Sequence, residues 1–146
     1  MKSWNQSYAG NDLRFVLDTN VVVSALLLAG SVPRQAFDKA IMEGTVLVSF
    51  PLLAELTEVL GRKQFDKYLL EEERTQFLVA LLSRTELVEP TEKIGECRDS
   101  KDNKFLELAV SGKADCIVSG DDDLLVLNPF REIPIVTPGE FLSWKT

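Results

Sequence analysis

The sequence predicts a three-layer α/β/α domain with a mostly parallel central sheet of about five short strands. Three largely apolar runs support this prediction, at residues 15–17, 45–49 and 115–119. They are continuous rather than alternating, which is typical of parallel strands that are covered on both faces. Segments with helical spacing of apolar residues lie between them, and this alternation favours βαβ units. Because such crossovers are right-handed, the carboxyl ends of the strands should meet at one edge of the sheet.

The first strand ends in an acid. Residues 15–17 lead into Asp18, Thr19 and Asn20, and an apolar segment long enough for about two helical turns follows. In open α/β sheets, ligands bind at this strand-to-helix edge. A carboxylate there can hold a cation, but each of the three polar residues can equally serve as the N-cap of the helix. This stretch alone therefore leaves both roles open.

The next elements are punctuated by proline and glycine. Pro33 suits the first turn of a helix that continues to Met42, and residues 45–49 form a β-branched strand. Pro51 opens another helix, whose apolar residues fall within one stripe. Gly61 either ends that helix or marks a bend in it. The result is a second strand with a helix on each side.

The middle of the chain is predicted to be mostly helical. Residues 62–70 form an amphipathic segment because of Phe65, Tyr68 and Leu69. A helix begins at the acidic run 71–73, where carboxylates meet the positive end of the helix dipole. Its predicted buried face comprises Phe77, Leu78, Leu81 and Leu82. Residues 86–89 form a short strand before a proline.

The last third completes the pattern. A polar loop at residues 91–100 precedes a helix at residues 102–113, and a buried strand follows at residues 115–119. Residues 133–136 contain a proline and so predict an edge strand. Thr137 and Glu140 have the spacing of a capping box at the start of a final helix.

Composition limits the possible functions. The chain has 146 residues with a net charge of −7, so a general electrostatic attraction to nucleic acid or membranes is not expected. It has no histidine, which excludes imidazole metal sites and a serine–histidine–aspartate triad. We interpret residues 1–12 as a polar, flexible arm and residues 13–146 as a single domain. No stretch has the length and apolarity of a membrane span, and we expect a cytoplasmic protein.

Four acids stand where the common edge of the sheet would bring them together. Asp18 and Asp121 follow strands, while Glu55 and Asp102 lie near the starts of helices. Singly, each has an ordinary explanation as a cap, a turn residue or a solvated side chain. Gathered at one edge they would repel each other, and a bound hard cation relieves that repulsion. A site of oxygen ligands alone favours Mg²⁺ or Mn²⁺ over Zn²⁺.

The sequence resembles the PIN-domain ribonucleases, and among them the small prokaryotic toxins of toxin–antitoxin modules. The resemblance covers residues 14–144 and rests on four motifs in the expected order: FVLDTNVVVSALL, SFPLLAELTEVL, DSKDNKFLELAV and CIVSGDDDLLVL. It implies a parallel sheet flanked by helices and cleavage of single-stranded RNA with Mg²⁺ or Mn²⁺. It also implies a small antitoxin protein as partner and leaves a homodimer open.

The resemblance assigns roles to particular residues. Asp18, Glu55, Asp102 and Asp121 correspond to the acidic quartet of the family, with Asp18, Asp102 and Asp121 as metal ligands and Glu55 acting on the attacking water. Asp123 is an alternative to Asp121, or a further metal ligand beside it, because three aspartates stand in a row. Asn20, Asp99 and Ser119 correspond to supporting positions.

Basic residues near these motifs are candidates for contact with the RNA backbone, namely Arg62, Lys63, Lys101 and Lys104. Each is also explained as a solvated helix residue. Two other functions remain open from the sequence. One is a non-catalytic module whose acidic edge binds a basic protein, and the other is a phosphoryl-transfer domain in which Asp18 is phosphorylated.

Overall fold

The computed structural model describes residues 13–144, and the predicted arm at residues 1–12 lies outside them. In the described part, five strands form one parallel sheet with the order β3-β2-β1-β4-β5. The strands are β1 Arg14–Leu17, β2 Thr45–Val48, β3 Thr85–Leu87, β4 Cys116–Val118 and β5 Ile135–Val136. The α-helices are α1 Thr19–Leu27, α2 Val32–Glu43, α3 Phe50–Leu60, α4 Glu71–Ser83, α5 Asn103–Ser111, α6 Asp122–Leu125 and α7 Pro138–Ser143. The predicted fold class is therefore confirmed.

Alternate residues of each central strand face opposite helical layers. On β1, Phe15 and Leu17 belong to an apolar cluster that includes residues of α1, α2, α4 and α7. Val16 between them belongs to a second cluster, built mainly from α5 and the segments around it. All three side chains are fully or almost fully buried. Burial on both faces explains why the strands have continuous apolar sequences.

The strand ends supply the caps of the helices that follow. Asp18 caps α1, Ser49 caps α3, Asp121 caps α6 and Thr137 caps α7, each through a side-chain oxygen that accepts a backbone N–H. The predicted capping box of Thr137 and Glu140 is present. Since all strands are parallel, these polar side chains lie at one edge of the sheet. The side chains that cap these helices thus place oxygen atoms at the edge where ligands bind in such sheets.

Three local predictions need correction. Residues 62–70 contain only a 3₁₀ turn at Lys63–Phe65, because Arg62 is extended and ends the helical path, and Tyr68 is exposed. The predicted helix at residues 102–113 is divided into a 3₁₀ turn at Ser100–Asp102 and the shorter helix α5. Leu82 is exposed rather than buried, because α4 packs chiefly through Leu81.

No helix between residues 13 and 144 combines the length and apolarity that crossing a membrane requires.

Candidate active site

Asp18 is a helix cap and also part of a pocket. Its side chain is 3% exposed. Oδ1 accepts the backbone N–H of Val21 at 2.8 Å, and Oδ2 accepts a hydrogen bond from the Ser119 hydroxyl. Burial raises the pKa of Asp18, while the Ser119 and Val21 hydrogen bonds act in the opposite direction and Asp121 adds to the rise. The Asp18 carboxylate therefore caps α1 and lines the pocket at the same time.

Ser119 connects Asp18 to the chain around Asp121. It is fully buried at the end of β4. Its hydroxyl donates to Asp18 and accepts the backbone N–H of Asp121 at 3.0 Å. Asp121 Oδ1 in turn accepts the N–H of Asp123 at 2.9 Å. Ser119, predicted as a supporting residue, thus links β1 and β4 at the site.

Asp102 is an acidic residue whose environment disfavours its charged form. It ends the 3₁₀ turn before α5 and is 9% exposed. Its Oδ2 is buried and has no hydrogen-bond partner among the described residues. Burial, followed by hydrogen bonding and charge repulsion from Asp121, raises the pKa of Asp102 to about 7. A buried carboxyl oxygen without a partner costs free energy that a ligand can recover.

Glu55 reaches the same place from α3. Its Oε1 accepts a hydrogen bond from the Thr19 hydroxyl at 2.6 Å and lies 3.4 Å from the Lys104 ammonium. The sequence alone allows Glu55 to be an ordinary solvated side chain. The structure instead holds it against α1 and α5.

A small pocket of about 100 Å³ joins these acids. Its lining includes the predicted quartet, the supporting residue Asn20 and the basic residue Arg62, together with Thr19, Val59 and Phe105. Four carboxylates that are as much as 103 residues apart in the chain therefore converge. Among the described residues, Asp18, Asp102 and Asp121 form no salt bridge. Three of the four carboxylates therefore line the pocket without a salt bridge to the rest of the described chain, while Glu55 lies beside Lys104.

Asp123 and Asp99 lie beside this pocket and do not line it. Asp123 is paired with the Arg98 guanidinium, whose Nε lies 2.7 Å from Oδ1. Asp99 caps the 3₁₀ turn through the N–H of Lys101. Even so, one oxygen each of Asp99, Asp102 and Asp123 lie within 4.8 Å of one another. Of Asp121 and Asp123, only Asp121 lines the pocket. Asp102 belongs both to the pocket and to the group that it forms with Asp99 and Asp123.

The predicted basic residues have unequal positions. Arg62 lines the pocket but forms a two-point ion pair with Glu58, at 2.9 and 3.1 Å. Lys63 and Lys101 are exposed and do not line the pocket. Lys104 is mostly buried beside Glu55. Contact with RNA by these residues stays a prediction.

Two site residues were missed by the sequence reasoning. Thr19 was considered only as a cap, although it stands next to the candidate acid and binds Glu55. Arg98 was not considered, and nothing in local periodicity indicates its pairing with Asp123, 25 residues away. A basic residue directly before Asp99 was the only available signal.

The donor set fits a hard divalent cation. All candidate ligands are carboxylate oxygens, which Mg²⁺ and Mn²⁺ prefer. The partnerless Oδ2 of Asp102 is an independent observation in favour of a cation, because a metal would supply the missing interaction. The residues present thus fit the metal that the resemblance implies.

Comparisons with known proteins agree with the fold. The uncharacterized protein MJ1680 of Methanocaldococcus jannaschii is 33% identical over 141 residues, with 90% of each chain covered. VapBC2 from Rickettsia felis, in a crystal structure bound to a DNA fragment from their promoter, has a TM-score of 0.56 at 20% identity, covering 86% of this chain and 97% of that one. PAE2754 from Pyrobaculum aerophilum has a TM-score of 0.57 at 15% identity, covering 97% of both chains. A family model described as PIN domain matches residues 14–123, a range that contains every candidate site residue, and the chain therefore belongs to the PIN domain family.

Proposed function

We propose that this protein is a Mg²⁺- or Mn²⁺-dependent endoribonuclease that hydrolyses phosphodiester bonds of single-stranded RNA. The observation that carries the proposal is the convergence of four carboxylates on one pocket in which Asp102 keeps a buried oxygen without a partner. Membership of the PIN domain family supports it. A bound cation also resolves the conflict between an acidic protein and an acidic substrate.

Each side chain has a role in this proposal. Asp18, Asp102 and Asp121 would hold the metal, and Asp123 with Asp99 would extend the ligand set on the far side of Asp102. Glu55 would orient the attacking water and accept its proton. Ser119 fixes the orientation of Asp18, and Asn20 offers a neutral polar group at the mouth of the pocket. When bound, the metal supplies activation of the water and positive charge opposite the phosphate.

The proposed cellular role is that of a cytoplasmic toxin that a small antitoxin protein neutralises. Support comes from the fold shared with the VapBC2 structure. A partner protein would also bind an acidic pocket in the alternative function, a non-catalytic module for a basic protein. Partner binding alone therefore does not separate the two functions.

Cleavage of a labelled single-stranded RNA separates them. We expect products with Mn²⁺, none with EDTA, and none from Asp18→Asn in Mn²⁺. Intact RNA with all three samples would contradict the proposal and favour the binding module. Labelling of Asp18 by a small phosphodonor would instead favour phosphoryl transfer.

A further inference from the structure

Lys104 is more buried than Lys63 and Lys101, the other lysines near the site. Its side chain is 17% exposed, whereas Lys63 and Lys101 are exposed. Holding a lysine side chain against the protein costs conformational entropy that its contacts must offset. Its contacts therefore indicate what it does.

Three contacts fix the Lys104 ammonium. It donates a hydrogen bond to the Lys101 carbonyl, lies 5.1 Å from the centre of the Phe105 ring, and lies 3.4 Å from Glu55 Oε1. The first two contacts are local to the start of α5. The contact with Glu55 is the one that links α5 to α3.

The two contacts of Glu55 fall on the same oxygen. Thr19 donates to Oε1, and Lys104 approaches Oε1 as well. These contacts leave Oε2 as the oxygen that can meet a water in the pocket. Glu55 lines the pocket and Lys104 does not, so the contact of Lys104 with the pocket runs through Glu55, although its charge also lowers the pKa of Asp102.

Building on the proposed nuclease function, we propose that Lys104 is a positioning residue that holds the Glu55 carboxylate for RNA cleavage without contacting the substrate. Together with Thr19 it restricts the Glu55 side chain, which would otherwise lose more conformational entropy on reaching the reactive geometry. This role differs from the contact with the RNA backbone that the sequence suggested for Lys104.

The first test compares three variants in Mn²⁺-dependent RNA cleavage. Lys104→Met keeps a long side chain against Phe105 and removes the charge. We expect kcat to fall about 10- to 100-fold, with KM changed less than about threefold. Lys104→Arg should recover most of the loss. Lys93→Met, the same charge change at an exposed lysine outside the site, should leave kcat within about twofold.

Two outcomes of this assay would overturn the proposal. A raised KM with unchanged kcat would show that Lys104 contacts RNA directly. A kcat equal to that of Lys93→Met would show that Lys104 has no role in cleavage.

The second test does not depend on activity. Urea unfolding of Lys104→Met, Glu55→Gln and the double variant forms a double-mutant cycle. We expect the double variant to shift the midpoint by less than the sum of the single shifts, because both changes remove the same contact. Additive shifts would overturn the proposal. Coupled shifts in a protein that cleaves no RNA would instead leave the contact in place and overturn the proposed nuclease function, and with it the catalytic role of the contact.

Discussion

At the amino-terminal end of the sheet the charged side chains are paired, whereas at the carboxyl-terminal end three carboxylates have no cationic partner within residues 13–144. Arg14 at the start of β1 forms a two-point ion pair with Glu86, at 2.7 and 3.1 Å. Its side-chain Nε donates to the Gly112 carbonyl at 2.7 Å, and its backbone N–H donates to Asp115 Oδ2 at 2.8 Å. At this end an ion pair links β1 to β3, two strands away, and hydrogen bonds link β1 to the segment that leads into β4.

At the carboxyl-terminal end, Asp18, Asp102 and Asp121 form no salt bridge with any described residue. Asp18 is stabilised by a helix N–H and a serine hydroxyl, which are dipoles and not full charges. Asp102 lacks even that for Oδ2. Burial is the largest cause of the raised pKa of Asp102, and repulsion by the nearby Asp121 carboxylate adds to it.

The difference indicates that the two ends of the sheet contribute unequally to the stability of the fold. At the amino-terminal end, oppositely charged side chains stabilise the packing of the strands. At the carboxyl-terminal end, the fold holds carboxylates close together, which costs free energy that a bound cation would offset. The following predictions either remove this contrast or make it measurable.

The largest expected effect is the loss of RNA cleavage on replacing Asp102 by Asn. The change removes one negative charge from the centre of the site, and we expect a fall of about 10³-fold in kcat/KM. The matched control is Asp122→Asn, which removes the same charge from an exposed neighbour of the pocket. Equal activities of the two variants would show that the total charge matters and the placement of Asp102 does not.

Metal should stabilise the folded protein. A divalent ion at 100 times its Kd contributes about 2.7 kcal/mol when it binds only the native state. For a chain of this length that corresponds to a rise in Tm of about 5 to 10 °C. We expect this shift with Mn²⁺ in calorimetry, unchanged in Asp122→Asn and absent in Asp102→Asn. A full shift in Asp102→Asn would place the ion elsewhere.

Replacing Arg14 should lower the stability of the protein and leave RNA cleavage almost unchanged. Arg14→Met leaves the Gly112 carbonyl and Glu86 without their partner, which we expect to lower the free energy of unfolding by about 1 to 3 kcal/mol. RNA cleavage at a temperature where the variant is folded should stay within about twofold of the wild type, because the residue lies at the far end of the sheet. Urea unfolding and the cleavage assay together check this separation. Loss of activity in the folded variant would mean that the two ends are coupled.

The sequence predicted the sheet well because burial on both faces leaves a direct signal. Continuous apolar runs marked β1, β2 and β4, and prolines and glycines marked the starts and ends of helices. The prediction for residues 62–70 was wrong, because apolar spacing does not reveal that Arg62 adopts an extended backbone. Spacing reports which face a residue would occupy in a helix and not whether the helix forms.

The site was predictable as far as it follows from strand ends. Asp18 and Asp121 follow β1 and β4, so parallel topology alone brings them close together. The sequence does not indicate which of the three successive aspartates at 121–123 belongs to the site. The structure distinguishes them, because Asp121 lines the pocket and Asp123 is paired with Arg98. The environment of Lys104 was likewise invisible, because its partner Glu55 lies on another helix. Long-range pairing is set by tertiary packing, which local sequence patterns do not record.

The smallest expected effect concerns pH in the absence of metal. In the unfolded chain Asp102 has an ordinary pKa of 3.8 and is ionised at neutral pH, whereas in the folded protein its pKa is about 7. Below pH 7 the folded state therefore binds a proton that the unfolded state does not, and the Tm should rise as the pH falls from 8 to 6. The same series with Asp102→Asn is the control and should show a smaller change. Saturating Mg²⁺ should remove the rise, because the ion favours the ionised carboxylate that the proton would neutralise. A Tm that falls over this range in EDTA would show that the carboxylates are not held against each other as the structure indicates.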